Sequence, residues 1–171
     1  MSVLPDLVTR RRVGIALNIL AIAAVLCFIF GNSLLDGQES GEMSSSVLDL
    51  VKPILRPIVD VLTKNPVTDA LLHAVVRKLA HFTEFAGLAS LSTLLLFQLC
   101  GTLRTHAVGY VLFGTLLAAV TDEFIQSFTG RGTSVRDALL DFCGALFGLL
   151  LTALICRLIR TFVSRKKGTQ S

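Results

Sequence analysis

The sequence predicts an all-α integral membrane protein, a four-span transmembrane helix bundle with an amphipathic helix at its surface. Its mean hydropathy is +0.72, and 53% of its 171 residues are hydrophobic while only 16% are charged. A water-soluble domain of this length needs more charge to cover its surface. Four apolar runs are long enough to cross a bilayer. We therefore expect one membrane domain over residues 1–171, with spans at about 13–30, 79–99, 107–125 and 137–156.

The net charge of +4 does not indicate a nucleic-acid partner, because the basic residues collect at span ends and in the two tails. Such placement reports membrane topology. Four spans put both termini on one side, and the basic clusters that flank the first and last spans favour the cytoplasm. We expect a multi-pass protein of the bacterial inner membrane.

The four cysteines lie in or beside apolar runs and are interpreted as small buried hydrophobes without a disulfide framework.

The first apolar run, residues 13–30, follows three consecutive arginines at 10–12. A cleaved signal peptide is the competing interpretation. The run is long for the apolar region of a signal sequence. We interpret it as the first span.

Residues 32–41 are polar and acidic, which predicts an external loop, and a different pattern follows at 47–62. There the apolar positions recur with a period of 3.6 and lie opposite the charged ones, so the segment predicts an amphipathic helix too charged to span. Pro53 and Pro57 are expected to kink or break it. A helix in the outer interface is favoured over a soluble external lobe.

The second span combines a helix-start signal with ionisable residues. Asn65 and Pro66 predict a start, giving a helix over about 66–99. Lys78, His81 and Glu84 recur every third residue and therefore share one side of it. Ionisable groups in a span are costly and usually functional, so the other helices should bring partners to the same depth.

The later spans carry the expected partners at the same end of the bundle. Asp122 and Gln126 are one turn apart near the end of the third span, and Glu123 lies between them. Ser134 is an expected N-cap for the fourth span. The remaining candidates from the loop and the fourth span are Arg131, Asp137 and Asp141. We therefore predict one polar pocket beneath the exterior surface.

Two sets of residues also admit purely structural interpretations. Lys78 could reach lipid headgroups, His81 could be a packing histidine bonded to Glu84 or Asp122, and Arg131 could pair with Asp137. Three glycines are interpreted as close helix-packing positions. They are Gly87, Gly144 and Gly148.

Three ordered motifs resemble those of VanZ-like membrane proteins. Residues 77–85 resemble the family's K-x-x-H-F motif, residues 122–131 resemble D-E-x-x-Q…G-R, and residues 134–144 resemble the closing D…N/D-x-x-G pattern. The resemblance covers about 78–150, and the chain carries Phe85 and Asp141 where other members have Tyr and Asn. The family's namesake is associated with low-level teicoplanin resistance, which implies a cell-envelope role. The family has no agreed biochemical activity.

Two functions follow as leading expectations. The first is a protein that binds or protects an envelope lipid or lipid-linked intermediate and so affects glycopeptide sensitivity. Lys78, Arg131 and the helix start at Ser134 would contact an anion. The alternative is an intramembrane hydrolase or transferase acting on a lipid-linked or glycolipid substrate.

In the enzyme hypothesis, His81 is the general base and Glu84 or Asp122 polarises it. Asp137 and Asp141 are candidate ligands for a divalent cation, although no metal-binding spacing such as HExxH is present. An ion-coupled carrier ranks last, because the cytoplasmic halves of the spans carry no ionisable path. The sequence predicts no particular cofactor.

Overall fold

The computed structural model describes residues 3–35, 37–63, 68–102, 105–130 and 132–168. These residues form helices joined by short connections, and no strand occurs among them. The five helices are α1 (Val3–Leu34), α2 (Gly37–Thr63), α3 (Asp69–Cys100), α4 (Thr105–Gln126) and α5 (Val135–Gly168).

The four predicted spans are confirmed as helices long and apolar enough to cross a membrane. They are Thr9–Leu34, Asp69–Cys100, His106–Gln126 and Val135–Phe162. Each is longer than its apolar run, because backbone hydrogen bonding continues into the flanking polar turns. Large apolar side chains such as Leu20, Phe113 and Leu150 are mostly exposed on the bundle surface. In a multi-pass membrane protein these side chains face lipid, which removes the cost of leaving them outside a core.

The amphipathic helix is confirmed, but α2 is longer than predicted. It begins at Gly37, so residues 37–41 of the predicted loop are helical. Pro53 and Pro57 lie inside it and do not end it. Both are exposed, so solvent can reach the carbonyls that proline leaves without an N–H partner. The apolar face packs against the start of α3 through Leu48, Val59, Leu72 and Val76.

Helix α3 begins later than predicted. The proposed start at Asn65 and Pro66 lies outside the described residues. The N-cap is Thr68, whose side chain accepts a hydrogen bond from the Leu71 N–H at 3.4 Å. At its other end α3 stops at Gly101, where φ is +68° and a residue without Cβ is favoured. Arg11 of α1 donates to the carbonyl oxygens of Gln98 and Leu99 there, at 2.9 and 3.2 Å.

Helix α3 occupies the middle of the bundle and packs against each of the other four helices, most extensively against α5. Gly144 and Gly148 permit this approach: a Cβ on either would lie 2.3 Å from the Phe82 carbonyl oxygen or 2.0 Å from that of Ala86. The packing role predicted for these two glycines is confirmed. For Gly87 it is wrong, because a Cβ there would meet nothing within 4 Å.

The core between the four spans is built from small and apolar residues. Its buried members are Ile29, Phe85, Leu88, Ala89, Ala118, Ala119, Ala145 and Leu149.

The four cysteines are free, but only Cys156 is buried, so burial was wrongly expected for the other three. Their exposed positions on spans face lipid, which is as apolar as a protein core.

Candidate functional site

The ionisable residues of α3 lie at the end of the bundle where α1 and α4 end and α5 begins, which we call the polar end. Lys78 is half exposed there. His81, three residues further along the helix, is only 18% exposed. Glu84 follows after another three residues and is half-buried. The three residues lie on one side of α3, as their spacing predicted, and they run from the surface into the bundle.

Asp122 of α4 is completely buried and held by two donors. Gln126, one turn further along, donates from Nε2 to Asp122 Oδ2 at 2.8 Å. The hydroxyl of Ser33, at the end of α1, donates to Asp122 Oδ1. Ser33 itself is completely buried and accepts from Gln126 Nε2 at 3.3 Å. Sequence analysis missed Ser33, although a serine in the last turn of a span at the predicted depth was the available signal.

The start of α5 is fixed by polar contacts of its own. The Ser134 hydroxyl accepts from the Arg136 N–H at 3.1 Å, which confirms the predicted N-cap. The Ser134 N–H donates to Glu123 Oε2 at 2.9 Å. A carboxylate of the chain thus already lies at the positive end of this helix dipole. Three residues into the helix, Asp137 pairs with Lys78, with 2.8 Å between Oδ1 and Nζ.

Asp141 lies one turn deeper and has a different environment. Its side chain is 1% exposed. Neither carboxylate oxygen accepts a hydrogen bond from any of the described residues. Four further carboxylates are near enough to act on Asp141 electrostatically, those of Glu84, Asp122, Glu123 and Asp137. A buried carboxylate in such surroundings is costly unless a cationic or proton-bearing group offsets its charge.

His81, Asp122 and Asp141 form a compact cluster, with one atom from each lying within 4.8 Å of the others. His81 Nδ1 is 3.7 Å from Asp122 Oδ2 and 4.0 Å from Asp141 Oδ1. Three helices therefore bring together a nitrogen and two carboxylates that sequence separates by up to 60 positions. An imidazole between two carboxylates can transfer protons or bind a cation.

A small cleft opens beside the cluster and has a volume of about 20 Å³. That volume holds one water molecule or one ion, but not a lipid headgroup. Its lining consists of Arg77, Lys78, His81, Glu123, Gln126, Gly132, Asp137, Leu140 and Asp141. Arg77 and Lys78 are exposed and therefore lie at the mouth of the cleft, where Lys78 pairs with Asp137, whereas Asp141 is buried on its inner side.

The structure brings eight predicted site residues to the polar end, while the ninth, Arg131, lies outside the described residues. The eight are Lys78, His81, Glu84, Asp122, Glu123, Gln126, Asp137 and Asp141. The predicted metal ligands Asp137 and Asp141 have separate partners, since Asp137 pairs with Lys78 whereas Asp141 lies beside His81.

The family model of VanZ/LLP1 matches residues 18–157 of this chain. The matched region begins in α1 and ends in α5, so it contains every residue of the polar end discussed above. No curated protein and no solved structure matches the chain.

Proposed function

We propose that this chain, which belongs to the VanZ/LLP1 family, is an intramembrane hydrolase or transferase acting on a lipid-linked or glycolipid component of the cell envelope. The observation that carries the proposal is His81 Nδ1 lying 3.7 and 4.0 Å from two buried carboxylates. The cluster lies at the polar end of the bundle, and a lipid-attached substrate bound outside the cleft would meet a water molecule held within it.

The proposed chemistry is general acid–base catalysis by His81. The carboxylates of Asp122 and Asp141 stabilise the imidazolium that forms when the ring accepts a proton. Ser33 and Gln126 hold Asp122 in place, so its negative charge is oriented before the reaction. The adjoining cleft has room for one water molecule, the nucleophile in a hydrolysis.

The competing proposal, a protein that only binds or protects an envelope component, has less support. Its anion contacts were Lys78, Arg131 and the helix start at Ser134. Lys78 is paired with Asp137, and the Ser134 N–H is bonded to Glu123. One observation still favours binding, because Arg77 and Lys78 line the mouth of the cleft and are exposed to a phosphate-bearing headgroup.

We also propose that the protein lies in the bacterial inner membrane with both termini in the cytoplasm and the polar end outside. The arginines at 10–12 and the cations after the fourth span support this orientation. The test introduces a single cysteine at Thr133, in the loop before α5, into a chain with its four cysteines replaced. Labelling of intact cells by a membrane-impermeant thiol reagent supports the orientation, and labelling only after cell lysis contradicts it.

The enzymatic proposal is tested by mass spectrometry of lipids from cells that produce the wild type, His81→Gln or Asp122→Asn. We expect the wild type to lower one lipid-linked species and raise its hydrolysed or transferred product, whereas both variants leave the pair unchanged. His106→Gln is the matched control, since His106 is exposed at the opposite end of α4. A lipid that co-purifies with the wild type without any such change in the cells would favour the binding protein instead.

If the substrate is a cell-wall intermediate, production of the protein should also change the response to a glycopeptide. We expect teicoplanin susceptibility to differ between cells producing the wild type and cells producing His81→Gln. A Lys78→Ala protein that retains the full wild-type effect would argue against an anion contact at the cleft mouth. Membrane quantities of all variants must be matched before susceptibilities are compared.

A further inference from the structure

We propose that His81, Asp122 and Asp141 bind one divalent metal ion, with Zn²⁺ favoured by the donor set. One ligand would come from each of α3, α4 and α5, so the ion would join the three helices. The role of the site in catalysis rests on the proposed function, with His81 acting as a metal ligand in place of a general base, but metal binding is measured independently of any reaction.

The distances within the cluster are close to those of a metal centre. With metal–ligand bonds of about 2.0–2.1 Å, neighbouring donors in a tetrahedral zinc site lie about 3.3 Å apart. His81 Nδ1 lies 3.7 Å from Asp122 Oδ2 and 4.0 Å from Asp141 Oδ1. Side-chain rotations that shorten these two separations by less than 1 Å would bring them to that value, and all three donor atoms lie within 4.8 Å of one another.

The environment of Asp141 is a second, independent indication of a ligand. The side chain is 1% exposed, and its two oxygens accept no hydrogen bond from the described residues. Acidic neighbours make its negative charge less favourable still. A cation bound between the three side chains would offset the negative charge of Asp141. The ammonium group of Lys78 does not take this place, because it pairs with Asp137.

Asp122 has the supporting contacts expected of a metal ligand. Ligating carboxylates are themselves hydrogen-bonded, and these outer contacts orient them and tune the metal. Gln126 donates to Asp122 Oδ2, and Ser33 donates to Oδ1. Because Ser33 lies on α1, the supporting contacts connect the first membrane span to the same centre.

The choice of metal and the open position follow from the donors. Imidazole suits zinc and other transition metals, whereas an all-oxygen site suits Mg²⁺ or Ca²⁺. Three protein ligands leave a fourth position, as in catalytic zinc sites, and the adjacent cleft of about 20 Å³ has room for a water molecule there. A zinc-bound water loses its proton near neutral pH and becomes a nucleophile.

The test measures metal binding by protein purified in detergent. A chelator first removes any bound metal from the wild type, which is then incubated with either Zn²⁺ or Mn²⁺. After excess metal has been removed, mass spectrometry measures the number of metal ions bound per chain. We expect one equivalent in the wild type and at least a tenfold weaker affinity in His81→Ala and Asp141→Asn. Matched controls are His106→Ala and Asp69→Asn, both exposed and away from the cluster; they should bind one equivalent.

Thermal unfolding provides a readout that does not depend on activity. Zn²⁺ should raise the unfolding midpoint of the wild type and of both controls, and it should raise that of Asp141→Asn less at the same Zn²⁺ concentration. A wild type that unfolds at the same temperature with chelator or metal, and that binds neither ion, overturns the proposal. So does an Asp141→Asn protein that folds and binds metal as tightly as the wild type.

The two proposals can fail separately. If wild-type cells convert a lipid while the purified protein binds no metal, the enzymatic proposal stands and the metal site is wrong. If the protein binds one metal ion at these residues and the lipid composition of the cells does not change, the metal site stands and the enzymatic proposal is contradicted.

Discussion

Replacement of Gly144 by alanine should disturb both the packing of the bundle and the His81 cluster. The new Cβ would lie 2.3 Å from the Phe82 carbonyl oxygen, whereas ordinary contact begins at 3.4 Å. Because the opposing atom is backbone, α5 must move away from α3 by about 1 Å. Phe82 follows His81 directly, and Gly144 is three residues from Asp141, so the movement should lengthen their 4.0 Å separation to about 5 Å.

The expected change in the free energy of unfolding is the difference between a cost of overpacking and a gain in helix propensity. Overpacking of a tight interface costs about 1–3 kcal/mol. Replacing glycine by alanine inside a helix recovers up to about 1 kcal/mol. We therefore expect Gly144→Ala to lower the free energy of unfolding by about 1–2 kcal/mol, measured by denaturant unfolding in detergent micelles. Zinc affinity should fall at least tenfold, because displacement of one ligand-bearing helix misplaces a donor.

Gly87→Ala is the matched control, since Gly87 lies on α3 and an added Cβ there meets nothing within 4 Å. It should keep zinc affinity and gain up to about 1 kcal/mol of stability. Equal stability and equal zinc binding of Gly144→Ala and Gly87→Ala would refute the close approach of α3 and α5. Loss of stability with zinc affinity retained would refute the coupling between that approach and the cluster.

Three smaller perturbations test other contacts of the chain. Ser33→Ala should cost about 1–2 kcal/mol in denaturant unfolding and weaken zinc binding by about 10–100-fold, because Asp122 loses a donor; unchanged values would exclude a supporting role for Ser33. A double-mutant cycle of Lys78→Ala and Asp137→Asn should give a coupling of about 0.5–1 kcal/mol that shrinks in high salt, and a coupling insensitive to salt would contradict a partly exposed pair. Thr68→Ala should cost about 1 kcal/mol of unfolding free energy whereas Thr68→Ser should cost little, and equal losses would contradict capping by the hydroxyl.

The sequence alone was sufficient for the spans, because their signal is local. An apolar run has to be about 20 residues long to cross a bilayer, and lipid requires every backbone group within it to be paired inside the helix. The ends of helices depend on weaker preferences, and there the predictions differed from the structure. Helix α3 is capped by Thr68 rather than beginning at Pro66, and α2 continues through Pro53 and Pro57.

The depth of the site residues could also be predicted, since antiparallel spans of similar length bring the start of one beside the end of the next. The predicted topology placed His81, Asp122 and Asp141 at the same end of the bundle, and the structure groups them there. Their partners could not be predicted in this way. Lys78 pairs with Asp137, and Glu123 accepts from Ser134. Asp141 Oδ1 lies 4.0 Å from His81 Nδ1, and neither Asp141 oxygen accepts a hydrogen bond from the described residues.

By itself, then, the sequence determined a four-span helical bundle with its ionisable residues at one end, because hydrophobic length and helical periodicity act within each segment. Tertiary structure alone decided which carboxylate faces which cation and that Ser33 donates to Asp122. It also decided that Gly144 and Gly148 permit the close approach of α5 to α3, whereas Gly87 has no such role. These outcomes depend on the rotation of each helix about its own axis and on its distance from its neighbour. Both are fixed by side chains that interlock between helices, which no single segment contains.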